Sequence, residues 1–210
     1  MESATRRERL RAQTREEAKA AALRQIAAAG PQSLSLNAIG KELGMSGPAL
    51  YRYFSGRDEL LTELISDGYH DLADAIEAAA ASAAGAPPTD RIRVLGRAYR
   101  DWALAQPHRY LLLFGTPVPG YVAPEHTRDA AIRTMSVLLE PIAALAPVSR
   151  YPELDAQVAG PVRRLGIVCW TRMHGVVSLE VEGHFTLMGF DPALLFEAEV
   201  EELIRLATPD

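Results

Sequence analysis

The chain has 210 residues, of which 48% are hydrophobic and 23% charged, enough for one large domain or a small one joined to a larger. It contains no apolar run of about 18 residues, which excludes a membrane-spanning helix. A single cysteine, Cys169, excludes an internal disulfide framework. The opening stretch MESATRRERLRAQTREE is basic and lacks the apolar segment of a secretory signal, so the expected location is cytoplasmic, with no membrane partner.

The formal net charge of −5 is unevenly spread: residues 1–57 hold 10 Lys/Arg and 5 Asp/Glu, leaving 12 and 22 for residues 58–210. A basic head on an acidic body suits a protein that offers one end to phosphates.

In chain order, residues 1–13 form a basic arm. Residues 14–29 (TREEAKAAALRQIAAA) are strong helix formers. Thr14 and Glu17 have capping-box spacing at the start, Gly30-Pro31 ends the run, and Ala18, Ala22, Ile26 and Ala29 share one face. Ser35 caps a short helix from Leu36 to Leu43. Gly44 turns the chain through a left-handed conformation. Ser46 then caps a third helix, Gly47 to Tyr53, with Pro48 in its first turn.

Ser55-Gly56 breaks the chain before a long helix, Arg57 to about Ala83. Gly85-Ala86-Pro87-Pro88 is a linker. Further helices are expected at 90–106, 107–115, 125–146, 160–185 and 192–207. Thr116 to Pro124, with three prolines in nine residues, is an extended loop. Pro141 is expected to kink or start a helix. No alternating β-branched segment requires a strand. The predicted fold is all-α, with about nine helices: a three-helix head over residues 14–57 and a larger helical body over 58–210.

Two short amphipathic helices joined by a glycine turn describe a helix-turn-helix, the second helix entering a major groove. The small residues Gly47, Pro48 and Ala49 allow close backbone approach to DNA. Tyr51 and Tyr53 offer hydroxyls to phosphate, and Arg52 either reads guanine or contacts phosphate. Ser35, Ser46, Lys41 and Arg57 supply flanking contacts. Leu43, Leu50 and Phe54 are core; the competing reading buries Tyr51 or Tyr53 as well.

This segment resembles the TetR family of transcription regulators. The resemblance is carried by Ser35-Leu36, Leu43-Gly44, Ser46, the string Leu50-Tyr51-Arg52-Tyr53-Phe54, and Arg57-Asp58-Glu59-Leu60-Leu61 opening the fourth helix. Trp170-Thr171-Arg172-Met173-His174-Gly175 and Pro107-His108-Arg109-Tyr110 are similar to relatives with a Trp-His-Gly C-terminal domain. Met173 stands where that tripeptide has its tryptophan. The resemblance implies a homodimer on double-stranded operator DNA with a small-molecule effector bound in the body. It implies a repressor released from a pseudo-palindromic operator by an apolar or aromatic ligand. The alternative is an architectural DNA-binding protein without effector control.

Candidate effector residues are Tyr99, Trp102, Tyr110, Phe114, Tyr121, Met135, Trp170, Met173 and His174; aromatic stripes at this spacing also serve as core. Dimer contacts are expected from small residues on 160–185 (Gly166, Gly175, Ser178), set among Leu165, Val168, Val177 and Val181, and from the apolar positions of 192–207. Cys169 reads as a buried structural thiol, poorly placed for catalysis with His174, and no enzyme activity or cofactor is expected. Glu180/His184 and Asp67/His70/Asp71/Asp74 share helix faces, but neither set supplies a full metal-ligand complement.

Overall fold

A computed structural model describes residues 2–208; Met1 and residues 209–210, which the expected arm and body include, lie outside the described residues. The described chain is all-helical, with ten α-helices, two 3-10 turns and no strand among the described residues. The helices are α1 (Glu2–Ala29), α2 (Leu36–Glu42), α3 (Gly47–Leu50), α4 (Arg57–Ser82) and α5 (Pro88–Ala105). They continue as α6 (Pro107–Phe114), α7 (Asp129–Ala144), α8 (Pro152–Gln157), α9 (Pro161–Val181) and α10 (Pro192–Ala207). The helix beyond the expected nine is α8.

Two compact units divide the chain. One comprises Met1–Gly68 with His108–Thr127, the other Tyr69–Pro107 with Arg128–Asp210. In the first unit α1 buries Ala18, Ala21, Ala22 and Ile26 along one face, and the small alanines let neighbouring helices approach closely. Leu36 and Ile39 of α2, Leu50 and Phe54 around α3, and Leu60, Leu61 and Leu64 of α4 complete this core. In the second unit α5, α7, α9 and α10 pack against one another. Leu95, Leu165, Val177, Phe196 and Leu203 are among their buried side chains.

Four expectations about local structure are corrected: the capping box at Thr14, a helix start at Pro141, an outward-facing Gly166 and the end of α9. α1 begins at Glu2 and runs through Thr14, whose hydroxyl donates to the Leu10 carbonyl (2.9 Å) as a mid-helix threonine does. Glu17, the supposed capping-box partner, accepts from Gln13 Nε2 (2.9 Å) instead. Pro141 lies inside α7, which continues to Ala144, so it does not start a helix. Only one backbone bond is forfeited there, and Pro141 and Ile142 are both buried, so packing holds the last turn.

Finally, Gly166 does not face outward for a partner. A Cβ there would come within 2.5 Å of Leu139 Cδ2 and 3.6 Å of Met135 Sδ, so this glycine admits α7 against α9. α9 itself ends at Val181, short of the expected Phe185, because Gly183 (φ 78°) reverses the chain.

Candidate nucleic-acid interface

The turn between α2 and α3 is built by backbone bonds that glycine makes possible. Gly44 has φ 68°, the Met45 N–H donates to the Gly40 carbonyl (2.8 Å), and the Gly44 N–H donates to the Lys41 carbonyl (3.1 Å). This is the Schellman arrangement, which satisfies carbonyls that a helix end leaves without partners. At the other end of α2, the Ser35 hydroxyl accepts from the Ala38 N–H (3.4 Å), while the Ser35 N–H donates to Gln25 Oε1 of α1 (3.1 Å). Ser35 is thus a cap, as expected, and is half-buried.

α3 is one helical turn, followed by turn residues through Tyr53 rather than by a helix to that residue. A single turn cannot hold itself together, because fixing its dihedrals costs more than its one or two hydrogen bonds return. Leu50 and Phe54, both at 0% exposure, anchor it to the core. With this face buried, the opposite face is outward: Ser46, Pro48, Tyr51 and Arg52 are exposed and Ala49 and Tyr53 half-buried. Tyr51 is 50% exposed, which rules out the reading that buries it. Gly47 opens α3; its surroundings lie outside the described residues.

The Ser46 side chain makes no cap bond, contrary to expectation; its carbonyl, not its hydroxyl, accepts the Ala49 N–H (2.8 Å). Lys41 is exposed at the end of α2. Arg57 is half-buried, and its Nη2 donates to the Pro31 carbonyl (3.1 Å), so part of its guanidinium is engaged inside the unit.

Sequence reasoning missed Arg15. From α1 its guanidinium donates to the Tyr53 carbonyl, pairs with Glu59 (3.4 Å) and Glu63 of α4, and lies 4.4 Å over the Phe54 ring. Glu59 also accepts the Ser55 N–H (2.6 Å); that bond first, and Arg15 after it, hold the Glu59 carboxyl below the usual carboxylate range. The signal was present in the sequence as two three-residue rows at i, i+4 spacing, Arg11/Arg15/Lys19 and Glu59/Glu63/Asp67.

The nine candidate effector residues fall into both units. In the first, Tyr110 (1% exposed) meets Phe114 at 5.2 Å between ring centroids, and the Tyr121 hydroxyl is 2.9 Å from Thr62 Oγ1 of α4. In the second, Trp102 is buried with Nε1 donating to Asp71 Oδ2 (2.9 Å). Trp170 and His174 stack at 5.6 Å, the Tyr99 hydroxyl is 3.5 Å from His174 Nδ1, and burial pushes the His174 ring toward its neutral form.

Met173 is buried and Met135 half-buried. A cavity of about 90 Å³ lies between α5 and α10, lined by Arg93, Arg97, Phe196, Glu197, Val200 and Glu201. Another, of about 10 Å³, is lined by Ile92, Ile142, Leu165, Cys169, Leu203 and Ala207. None of the nine residues lines either.

Cys169 is buried, and burial pushes its thiol up to about 12, which disfavours the thiolate near neutrality. Four of the acidic and histidine side chains that shared helix faces in sequence each have a partner elsewhere. Glu180 pairs with Arg100, His184 with Glu182, Asp67 with Lys19 and Asp74 with Arg133. No cluster of three metal-ligating side chains occurs among the described residues. No helix there is long and apolar enough to cross a membrane.

An anchored second helix with an exposed face, set on a glycine turn, defines a helix-turn-helix protein. The family model for bacterial regulatory proteins of the tetR family matches residues 20–64, and the tetracyclin repressor-like C-terminal domain matches residues 92–203. The HTH-type transcriptional regulator Rv1816 of Mycobacterium tuberculosis is 36% identical over 204 residues, covering 87% of each chain.

The solved regulatory protein SCO4313 superposes with a TM-score of 0.84 at 50% identity, covering 94% of this chain and 98% of that one. A tetR-family regulatory protein from Rhodococcus RHA1 shares the fold, with a TM-score of 0.70 at 20% identity over 93% of this chain and 97% of that one. The chain belongs to the TetR family of DNA-binding transcription regulators.

Proposed function

We propose that the protein is a homodimeric repressor that binds a pseudo-palindromic operator and is released by a small apolar or aromatic ligand. The observation that carries the DNA half is the division of the α3 segment, with Leu50 and Phe54 wholly buried and Tyr51 and Arg52 presented outward. Ser35, Lys41, Ser46, Gly47, Pro48, Ala49, Tyr51, Arg52, Tyr53 and Arg57 form the contact surface. Pro48 and Ala49 bring the backbone close, and Arg52 is the side chain with the reach and fork geometry to read a base. The other polar groups position the protein on phosphates.

Support for a homodimer comes from apolar side chains left exposed on the body. Ile167, Trp170 and Leu179 of α9 and Leu194 of α10 are 45%, 41%, 44% and 67% exposed. Gly175, with nothing within 4 Å of where a Cβ would stand, lies on the same outer side of α9. These residues replace Leu165, Val177 and Gly166, which are buried within the chain, as the contact surface. Two heads then read half-sites about one duplex turn apart. The basic segment 1–13 joins the head, the helix-turn-helix domain spans 14–57, and the rest is the effector and dimerisation domain. The location is cytoplasmic.

For the effector, the stacked Trp170–His174 pair with Tyr99 is the polar-aromatic group best suited to orient a ligand. Release requires that the ligand bind the two arrangements of the dimer with different affinity. The test is selection of bound sequences from random DNA, followed by a screen for small aromatic molecules that dissociate the selected duplex. An inverted repeat with half-sites about ten base pairs apart supports the reading. Enrichment of no sequence, with affinity set by salt alone, would establish the architectural alternative.

A further inference from the structure

We propose that Arg15 is a positioning residue for DNA reading, fixing the end of the recognition segment to α4 through one guanidinium. This rests on α3 being the element that reads DNA. Three helices meet at this side chain: it starts from α1, donates to the Tyr53 carbonyl just beyond α3, and pairs with Glu59 and Glu63 of α4. Its guanidinium carbon lies 4.4 Å over the ring of Phe54, the fully buried side chain that anchors the same segment.

The physical need is specific. α3 has four residues, so it has no length with which to resist rotation or fraying. The amides that follow it bond back onto it: Arg52 donates to the Ala49 carbonyl and both Tyr53 and Phe54 to the Leu50 carbonyl. The carbonyls of Arg52 and Tyr53 instead take side-chain donors from α1, Arg11 Nη2 (3.4 Å) and Arg15. The backbone beside Tyr51 and Arg52, the two outward side chains, is therefore set by α1. Through Glu59 and Glu63 it is tied to α4 as well, so a displacement of the first turns of α4 is carried to the Tyr53 peptide.

Only arginine satisfies all these contacts together. A planar fork reaches a carbonyl on one nitrogen and carboxylates on the other while its carbon sits over an aromatic ring; a lysine ammonium is a point charge on a flexible stem. One turn on, Lys19 pairs with Asp67 (2.7 Å) and Glu16 (2.6 Å), neither of which belongs to the α3 segment. It is the natural control, with the same charge, helix and row.

The experiment measures affinity for the selected operator across a salt series for wild type, Arg15→Lys, Arg15→Gln, Glu63→Gln and Lys19→Gln, with thermal melts of each. Tyr51→Ala and Arg52→Ala are run beside them. Loss of a charge-assisted bond that aims the recognition segment is expected to cost on the order of tenfold in affinity for both Arg15 variants. Glu63→Gln should shift affinity in the same direction, and Lys19→Gln should bind as wild type.

Because Arg15 aims rather than touches phosphate, the slope of log affinity against log salt is expected to stay unchanged. A slope reduced by about one would make Arg15 a direct phosphate contact and overturn the proposal. Wild-type affinity in Arg15→Lys would also overturn it, as would a loss matched by a proportionate loss of folded protein. Should Arg15→Gln fail to fold, Arg15→Lys and Glu63→Gln decide. Undiminished affinity in Tyr51→Ala and Arg52→Ala would remove the recognition reading and this proposal with it. Loss in those two with none in the Arg15 variants would sink the positioning role alone.

Discussion

Replacing Gly44 by alanine isolates the backbone requirement of the helix-turn-helix. At φ 68° an alanine adopts a left-handed conformation that costs roughly 1–2 kcal/mol, and nothing stands within 4 Å of the position its Cβ would take, so no clash adds to that cost. Against it runs the smaller conformational freedom of alanine in the unfolded chain, which favours folding by about 0.4–1 kcal/mol. The difference leaves a net destabilisation of about 1 kcal/mol. Gly44→Asn should cost less, because asparagine tolerates the left-handed region. Urea unfolding followed by circular dichroism at neutral pH reads the effect as a shift of midpoint with constant slope. Gly44→Ala at or above wild-type stability, or Asn worse than Ala, would refute the assignment of the turn.

Two further outcomes follow from the second unit. Cys169 is expected to stay unmodified by a thiol reagent in the native protein at pH 8 and to react fully in denaturant, since burial pushes its thiol up to about 12; fast native labelling would contradict this. Asp155 is held below the usual carboxylate range by the Ser149 hydroxyl and then by Arg164, against the opposing effect of burial. Its contribution is therefore fully present above the unfolded value of about 3.9 and lost as pH falls through the lower folded value. Asp155→Asn should be less stable than wild type at pH 7, and the gap should close in acid; a gap that widens there would reverse the sign of the argument.

The head was readable because its determinants are local. Gly44 must turn, Ser35 caps within three residues, and Leu50 and Phe54 are spaced to face inward. What escaped depends on residues distant in sequence or on competition between equivalent local signals. Thr14 with Glu17 has the spacing of a capping box, yet the preceding residues are themselves helix formers, and the chain has no breaker there. Arg15 has its partners 38 to 48 positions away, so its role is set by packing of α1 on α4. Gly166 and Gly175 looked alike in sequence; Leu139 and Met135 fill the space beside the first and nothing fills it beside the second. The aromatic candidates were identifiable as a set, but their separation between two units was not, because that follows from α6 and the loop after it folding with the head unit.

The most direct measurement is operator affinity of Arg52→Ala and Tyr51→Ala, each shown to melt as wild type, on the selected duplex and on single-base variants of it. Both should bind at least tenfold more weakly, with Arg52→Ala also losing discrimination at one base pair. Wild-type affinity and discrimination in both would mean that another surface of the protein meets the DNA.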